Sequence, residues 1–233
     1  MTRTYSNFNT DLSKEQLALI ADKSTSPTDY KTAMTLLGEH LGQVIAEKVE
    51  NSSASLCLAC TVEDADYLAA GVLNPLEQHF QAVSLACFWN ERFSPFDVSG
   101  LKAAPIIREY KEPTATAVTH LVILKSVISS GCVVRTNITN LIQVINPESI
   151  LIAAPVIYAG AEERLAADFS ASVHERFQFI YLAEDDERSL EGEVIPGIGG
   201  MVYERLGFSG QEEKNKYVPN LVKARRRQLI SAQ

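Results

Sequence analysis

The small-residue stretches of this chain carry its clearest chemical suggestion. Ser129-Ser130-Gly131-Cys132 follows a short apolar run and Lys125-Ser126, and it precedes a helical pattern. A hydroxyl and a bare amide at a helix start suit a phosphate, because first-turn N–H groups lack partners within the helix and the dipole favours negative charge. Lys125 adds a positive charge to the same turn. The plainer alternative is an ordinary polar strand-to-helix turn. A second stretch, Ile195-Pro196-Gly197-Ile198-Gly199-Gly200, has the composition of a tight turn. Asp185-Asp186-Glu187 lies shortly before it, and its plain reading is a solvated acidic loop.

Cys57-Leu58-Ala59-Cys60 is formally a CxxC pattern, inside what reads as a buried strand. Residues three apart in an extended strand point to opposite faces, so the two sulfurs cannot chelate one ion. No second Cys/His pair follows at zinc spacing. His40, His79, His120 and His174 have no cysteine or acidic neighbour at metal or triad spacing. No metal site is expected, and the cysteines read as small buried hydrophobes.

The elements that position these residues alternate. Residues 12–22 read as a helix, with Ser13 and Gln16 in capping-box spacing. Ser26-Pro27-Thr28-Asp29 opens a longer helix whose apolar residues, from Tyr30 to Val49, recur at helical spacing. A strand at 55–61, a helix at 64–79 and a strand at 82–88 follow. The polar and aromatic segment 89–117 reads as hairpin or loop. His120 to Lys125 is a continuous apolar run, as in a central parallel strand. A helix is then expected from Val134 to Asn146, a strand over 149–155, a helix over 160–168 and a strand over 177–183. This alternation predicts a doubly wound α/β sheet with ligands at the strand C-termini.

The chain has 233 residues, 46% of them apolar and 21% charged. That suits one large domain with a real core and argues against wholesale disorder. No apolar run reaches the roughly 18 residues of a membrane-spanning helix, so no membrane association is expected. The first eight residues contain no apolar signal region, so the expected location is cytoplasmic, with reduced thiols. Twenty-one basic and 29 acidic residues give a net charge of −8. A nucleic-acid binder needs a basic face, so nucleic acid is not an expected partner.

Three pieces, in order along the chain, resemble the uracil phosphoribosyltransferases. Residues 22–30, followed by the long helix, are similar to that family's N-terminal arm. Ala153-Ala154-Pro155 matches its V-A-A-P strand end. Asp186-Glu187-Arg188, followed by Val194-Ile195-Pro196-Gly197-Ile198-Gly199-Gly200, resembles its uracil-binding segment, D-E-R…Y-I-V-P-G-L-G-D, with spacing one residue shorter. The likeness spans about residues 15–207. It implies a type I phosphoribosyltransferase fold with a helical arm (1–50) and a core (51–207); the charged C-terminal tail (208–233) exceeds the usual family ending and reads as a solvated helix end, the alternative being a partner-docking or anion-binding tail. It also implies a homo-oligomer, built through the arm. The implied reaction joins uracil to phosphoribosyl diphosphate (PRPP), giving UMP and diphosphate with Mg²⁺ assisting. Backbone groups of Ile195, Gly197, Ile198, Gly199 and Gly200 would read the base, with Asp186 nearby.

The departures from the family fall where the chemistry is done. Its phosphate loop, D-x-M-L-A-T-G-G-S/T, is here Lys125-Ser126-Val127-Ile128-Ser129-Ser130-Gly131-Cys132-Val133. Ser130 and Gly131 keep the hydroxyl and the bare amide. Lys125 and Ser126 replace the acidic start, and Cys132 replaces a glycine. The R-A-G-L-G segment is replaced at Glu63, Asp64 and Ala65, which puts a carboxylate where a diphosphate needs a cation. Asn90 stands where the Y-R-D-P hood should carry arginine, with Arg92 near enough to substitute. Gly200 replaces the last aspartate of P-G-L-G-D. The expectation is a diverged member that binds a nucleobase, nucleotide or phosphate and has lost or weakened transfer. The alternatives are an active enzyme, the only reading that needs Mg²⁺, and a non-catalytic scaffold. Because Glu63 and Lys125 reverse both charges together, Glu63 or Asp64 is expected within about 8 Å of Lys125, one Debye length.

Overall fold

The apolar runs become the inner strands of one sheet, since a strand buried on both faces needs apolar residues at every position. The computed structural model describes residues 2–93, 103–113, 118–190 and 192–231. In chain order these form β1 (Arg3–Tyr5), α1 (Asp11–Ala21), α2 (Pro27–Lys48), β2 (Ser55–Thr61), a π-helical turn (Ala65–Ala69), α3 (Ala70–His79), β3 (Ala82–Asn90), β4 (Ile106–Lys111), β5 (His120–Leu124), β6 (Val127–Ile128), α4 (Cys132–Ile142) and β7 (Ser149–Tyr158). They continue as α5 (Ala161–Ala167), α6 (Ala171–His174), β8 (Phe177–Asp185), β9 (Glu187–Arg188), β10 (Val194–Ile195), α7 (Val202–Arg205), α8 (Gln211–Lys216) and α9 (Asn220–Ser231).

The sheet runs β1-β8-β7-β5-β2-β3-β4, with β6 beside the end of β7. Strands β8, β7, β5, β2 and β3 are parallel, and β1 and β4 are antiparallel edges. The fold is therefore α/β with a mainly parallel sheet. One face is covered by α1, α2 and α3, the other by α4 and α5. Cys57 packs into the second of these layers and Cys60 into the first, as strand alternation requires. After β2 the chain turns to β3 on one side, and β5 lies on the other. This is a topological switch point, where the crossovers leave a crevice at the strand C-termini.

Several element boundaries differ from the sequence reading for local reasons. Thr10, not Ser13, caps α1: its hydroxyl accepts from Ser13 N at 3.1 Å, and Ser13 Oγ accepts from Thr10 N at 2.8 Å. The pair closes the box one turn earlier. The 64–79 helix opens as a π-turn. Helix α4 starts at Cys132 because Gly131 adopts φ 75°, a left-handed conformation that frees the chain to turn out of the strand. Gly38 lets α2 lie against the π-turn, since a Cβ there would sit 2.2 Å from Leu68 O. Residues 2–48 are built into the body of the protein: β1 extends the sheet, and Leu17, Ile20, Leu37, Leu41 and Ile45 fill its core. Of segment 89–117, β4 is a described strand, while 94–102 and 114–117 lie outside the described residues. No helix among the described residues is long and apolar enough to cross a membrane.

Candidate functional site

Strands β2 and β5 are paired through Ala59 and Ile123, so the residues that follow them leave the sheet side by side. Glu63 and Asp64 follow β2; Lys125 and Ser126 follow β5. Lys125 Nζ lies 2.5 Å from Asp64 Oδ2 and 3.3 Å from Glu63 Oε1, and it donates to Ser126 Oγ at 3.1 Å. Thr61 Oγ1 also donates to Asp64 Oδ2, at 2.7 Å. A second ammonium arrives from α8: Lys214 Nζ donates to Asn90 O at 2.8 Å and sits 3.8 Å from Glu63 Oε2. Lys125 and Lys214 are each 3% exposed and Asp64 1%. Two carboxylates and two ammoniums thus neutralise one another at the switch point. Burial alone would raise the Glu63 pKa, but Lys125, Lys214 and Arg92 outweigh it and hold the carboxyl down at about 2. The space left beside Glu63, Asn90 and Lys214 is about 30 Å³.

A cleft of about 670 Å³ opens next to this cluster. One wall is the turn from Val127 to Val134, with the first N–H groups of α4. The opposite wall is the β9–β10 hairpin, including Arg188 and Val194. Ser129 Oγ donates to Gly192 O at 3.2 Å and ties the two walls together. Ser130, Gly131 and Cys132 line the cleft, as do Lys125, Arg92, Ile198, Gly200 and Met201. Ser126 is fully buried behind Lys125 and borders only the smaller space. Cys132 is buried and packs with Val133 and Ala104.

The loop after β10 is held by contacts that no local sequence pattern announces. Gly197 and Gly199 have φ of 56° and 73°, and added Cβ atoms would meet Val194 O at 2.2 Å and Ile20 O at 2.5 Å. Buried Asp185 accepts from Gly197 N at 2.9 Å and from Arg3 through a two-pronged bridge of 2.8 and 2.7 Å. Arg3 also donates to Gly197 O at 2.7 Å, and Tyr30 OH donates to Ile198 O at 3.3 Å. Both backbone groups of Gly197 are therefore spent within the protein. Of the five residues expected to read a base, Ile198 and Gly200 line the cleft, while Ile195, Gly197 and Gly199 lie behind it. Asp186 points away: it is exposed and accepts from Thr2 N at 2.9 Å.

The C-terminal segment is strapped to the body through α8 and part of α9, while most of α9 is exposed and Val222 is its buried residue. Trp89 Nε1 donates to Tyr217 O at 2.8 Å, and Tyr217 OH donates to Asp66 Oδ2 at 2.5 Å. Arg225 binds Glu112 at 2.7 and 3.2 Å, Glu77, and Val83 O at 2.8 Å. Sequence reasoning missed Lys214, Asp185 and Arg3. Lys214 and Asp185 lie in charged stretches and Arg3 in a polar one; the local pattern of each is that of a surface, and only long-range packing buries it.

Fold and cleft together define an α/β protein with a mainly parallel sheet and a ligand-sized cleft beside its switch point. No family model matches the chain, and no curated protein sequence does. Among solved structures, the AQ2163 protein from Aquifex aeolicus superimposes with a TM-score of 0.67 at 13% identity, covering 85% of this chain and 95% of that one. The likeness is one of fold. Two hypoxanthine phosphoribosyltransferases overlap more loosely. The Staphylococcus aureus protein gives a TM-score of 0.42 at 13% identity, covering 73% of this chain and 88% of its own. The Trypanosoma cruzi protein, complexed with its product IMP, gives 0.41 at 11%, covering 68% and 76%. None of these comparisons singles out uracil phosphoribosyltransferases, so that likeness rests on the motifs quoted above.

Proposed function

We propose that this chain is a diverged relative of the uracil phosphoribosyltransferases that binds a nucleobase, nucleotide or phosphate but has lost, or nearly lost, phosphoribosyl transfer. The observation that carries this reading is the contrast between a filled crevice and an open cleft. Transfer of a phosphoribosyl group needs the departing diphosphate held while the sugar gains positive character. Here the switch point is occupied by Glu63, Asp64, Lys125 and Lys214, and the remaining 30 Å³ is too small for a diphosphate. A carboxylate about 4 Å from a diphosphate charge costs roughly 4 kcal/mol at an effective dielectric near 20. The residues do not fit Mg²⁺ either: a buried ammonium replaces the acidic start of the loop, and the carboxylates in reach are already bound to it. Asn90 has been drawn into packing, donating to Ala104 O at 3.1 Å and to Asn137 Oδ1 at 3.0 Å.

Binding makes fewer demands. The cleft volume lies within the range of small-molecule sites. The start of α4 supplies N–H donors for a phosphate, and Val194, Ile198 and Met201 supply an apolar wall for a flat base. Isothermal titration with inorganic phosphate, UMP, uracil, and PRPP with and without Mg²⁺, beside a steady-state assay for UMP formation, tests the reading. The expected result is binding of UMP or phosphate, no Mg²⁺-dependent gain for PRPP, and no useful turnover. UMP production at about 1 per second or faster, the ordinary enzyme range, returns the chain to the active phosphoribosyltransferases. Silence with every probe leaves only a scaffold role. A phosphate soak locates the anion, expected on the amides of residues 129–132.

A further inference from the structure

The exposed cations of α9 form one ridge. Lys223, Arg226 and Arg227 stand at i, i+3 and i+4, with Ile230 at i+7, a spacing that shares one helix face. All four are exposed, Ile230 to 73%. Val222 is buried behind them, and Arg225 turns to the body, where it pairs with Glu77 and Glu112. The edge strand β4 continues the ridge with exposed Arg108. Aromatic rings set these cations in place. Arg226 lies over Tyr110 at 5.2 Å from the centroid, Lys223 over Tyr217 at 5.7 Å and Arg108 over Trp89 at 4.7 Å. Trp89 is itself bonded to Tyr217 O, and Arg108 and Tyr110, two apart on one strand, share a face. Helix α9 contains no acidic residue. Among the described residues no carboxylate forms an ion pair with Arg108, Lys223, Arg226 or Arg227, although the chain carries a net charge of −8.

We propose that this α9–β4 face docks on an anionic membrane surface. A lipid surface spreads its headgroup anions over an area and so meets all four cations at once. Ile230, on the same ridge, enters the boundary between headgroups and acyl chains. Single-stranded nucleic acid asks in addition for open aromatic faces on which bases stack. Here Trp89 and Tyr110 are buried beneath their arginines, so the face offers charge and an aliphatic side chain but no stacking platform. Each cation held near an anionic surface raises partitioning about fivefold. The acidic remainder of the protein is screened where it lies more than about 8 Å from the lipid. The contact is peripheral and is independent of the reading of the cleft.

The test sediments the full chain with vesicles of phosphatidylcholine, either alone or with about one third phosphatidylserine. Binding to the anionic vesicles is expected to be roughly tenfold stronger or more, and to fall away in high salt. Arg227→Gln alters a side chain that makes no hydrogen bond or ion pair to the described residues, so its fold is safe. It is expected to weaken binding about fivefold. Lys223→Gln/Arg226→Gln/Arg227→Gln should bring binding to the level of the neutral vesicles. Lys14→Gln/Lys23→Gln/Lys48→Gln removes the same charge from the N-terminal region and should leave it in place. Ile230→Ser should weaken binding severalfold with an unchanged salt dependence. Equal binding to both kinds of vesicle overturns the proposal and leaves the ridge a solvated face. Equal loss in the two triple variants also overturns it, because the attraction is then one of net charge. Tighter binding to a single-stranded RNA than to the anionic vesicles, at the same salt, overturns it in favour of nucleic acid.

Discussion

The buried charges of Glu63, Asp64 and Lys125 decide what the switch point can hold. Buried ions lose most of their hydration, and only good mutual geometry offsets that loss. The distances of 2.5 and 3.3 Å from Lys125 Nζ, with Ser126 and Thr61 beside it, supply that geometry at one oxygen of each carboxylate, while Glu63 Oε2 and Asp64 Oδ1 are buried without a hydrogen bond. Removing one member leaves its partners charged and unpaired. Lys125→Met is expected to destabilise the protein by about 3–5 kcal/mol in urea denaturation. Adding Glu63→Gln and Asp64→Asn to the same chain removes the stranded charges and is expected to recover most of that loss. A Lys125→Met protein as stable as the wild type would show that the cluster contributes nothing to holding the crevice closed.

Among the elements, α4 controls the cleft. Its first turn faces the space because Gly131 turns the chain through a left-handed conformation just after β6. An added Cβ has room, with its nearest neighbour, Leu165 Cδ1, at 3.5 Å, so the penalty for alanine is backbone strain alone. Gly131→Ala is expected to cost about 1–2 kcal/mol of stability. It should also weaken phosphate binding, because the amides of the turn shift with the helix start. Thermal melts and phosphate titrations read the two effects separately. Unchanged phosphate affinity in a destabilised variant places the anion elsewhere.

Across the whole molecule, both ends of the chain are drawn to the site. At the N-terminal end, β1 brings Arg3 to Asp185 and Gly197, which fixes the loop behind the cleft. At the other end, α8 and α9 bring Lys214 to Glu63, Tyr217 to Trp89 and Asp66, and Arg225 to Glu112. The C-terminal segment therefore belongs to the cooperative unit. Ending the chain after Phe208 strands the Trp89 N–H, Asp66 and one carboxylate oxygen of Glu63. The expected loss is on the order of 3 kcal/mol or more. A truncated chain that melts at the wild-type temperature would show the strap to be dispensable.

The amino-acid sequence by itself determined the α/β class, the inner strands and the start of the long helix at Ser26. Those features come from short-range causes: apolar runs buried on both faces and a capping hydroxyl. The opposed facing of Cys57 and Cys60 follows from strand periodicity in the same way. The proximity of Glu63 and Asp64 to Lys125, expected from the resemblance to the uracil phosphoribosyltransferases, holds at 3.3 and 2.5 Å. Tertiary structure alone decided the rest. Lys214 is buried because α8 folds back over Asn90, and Arg3 meets Asp185 because β1 joins the far edge of the sheet. Asp185 faces inward while Asp186 faces solvent, since successive residues of an extended chain alternate sides and only the packing says which side is the core. Nε and Nη2 of Arg188 lack a hydrogen-bond partner among the described residues for the same reason: satisfaction is a property of the folded neighbourhood, and the order of residues along the chain carries no record of it.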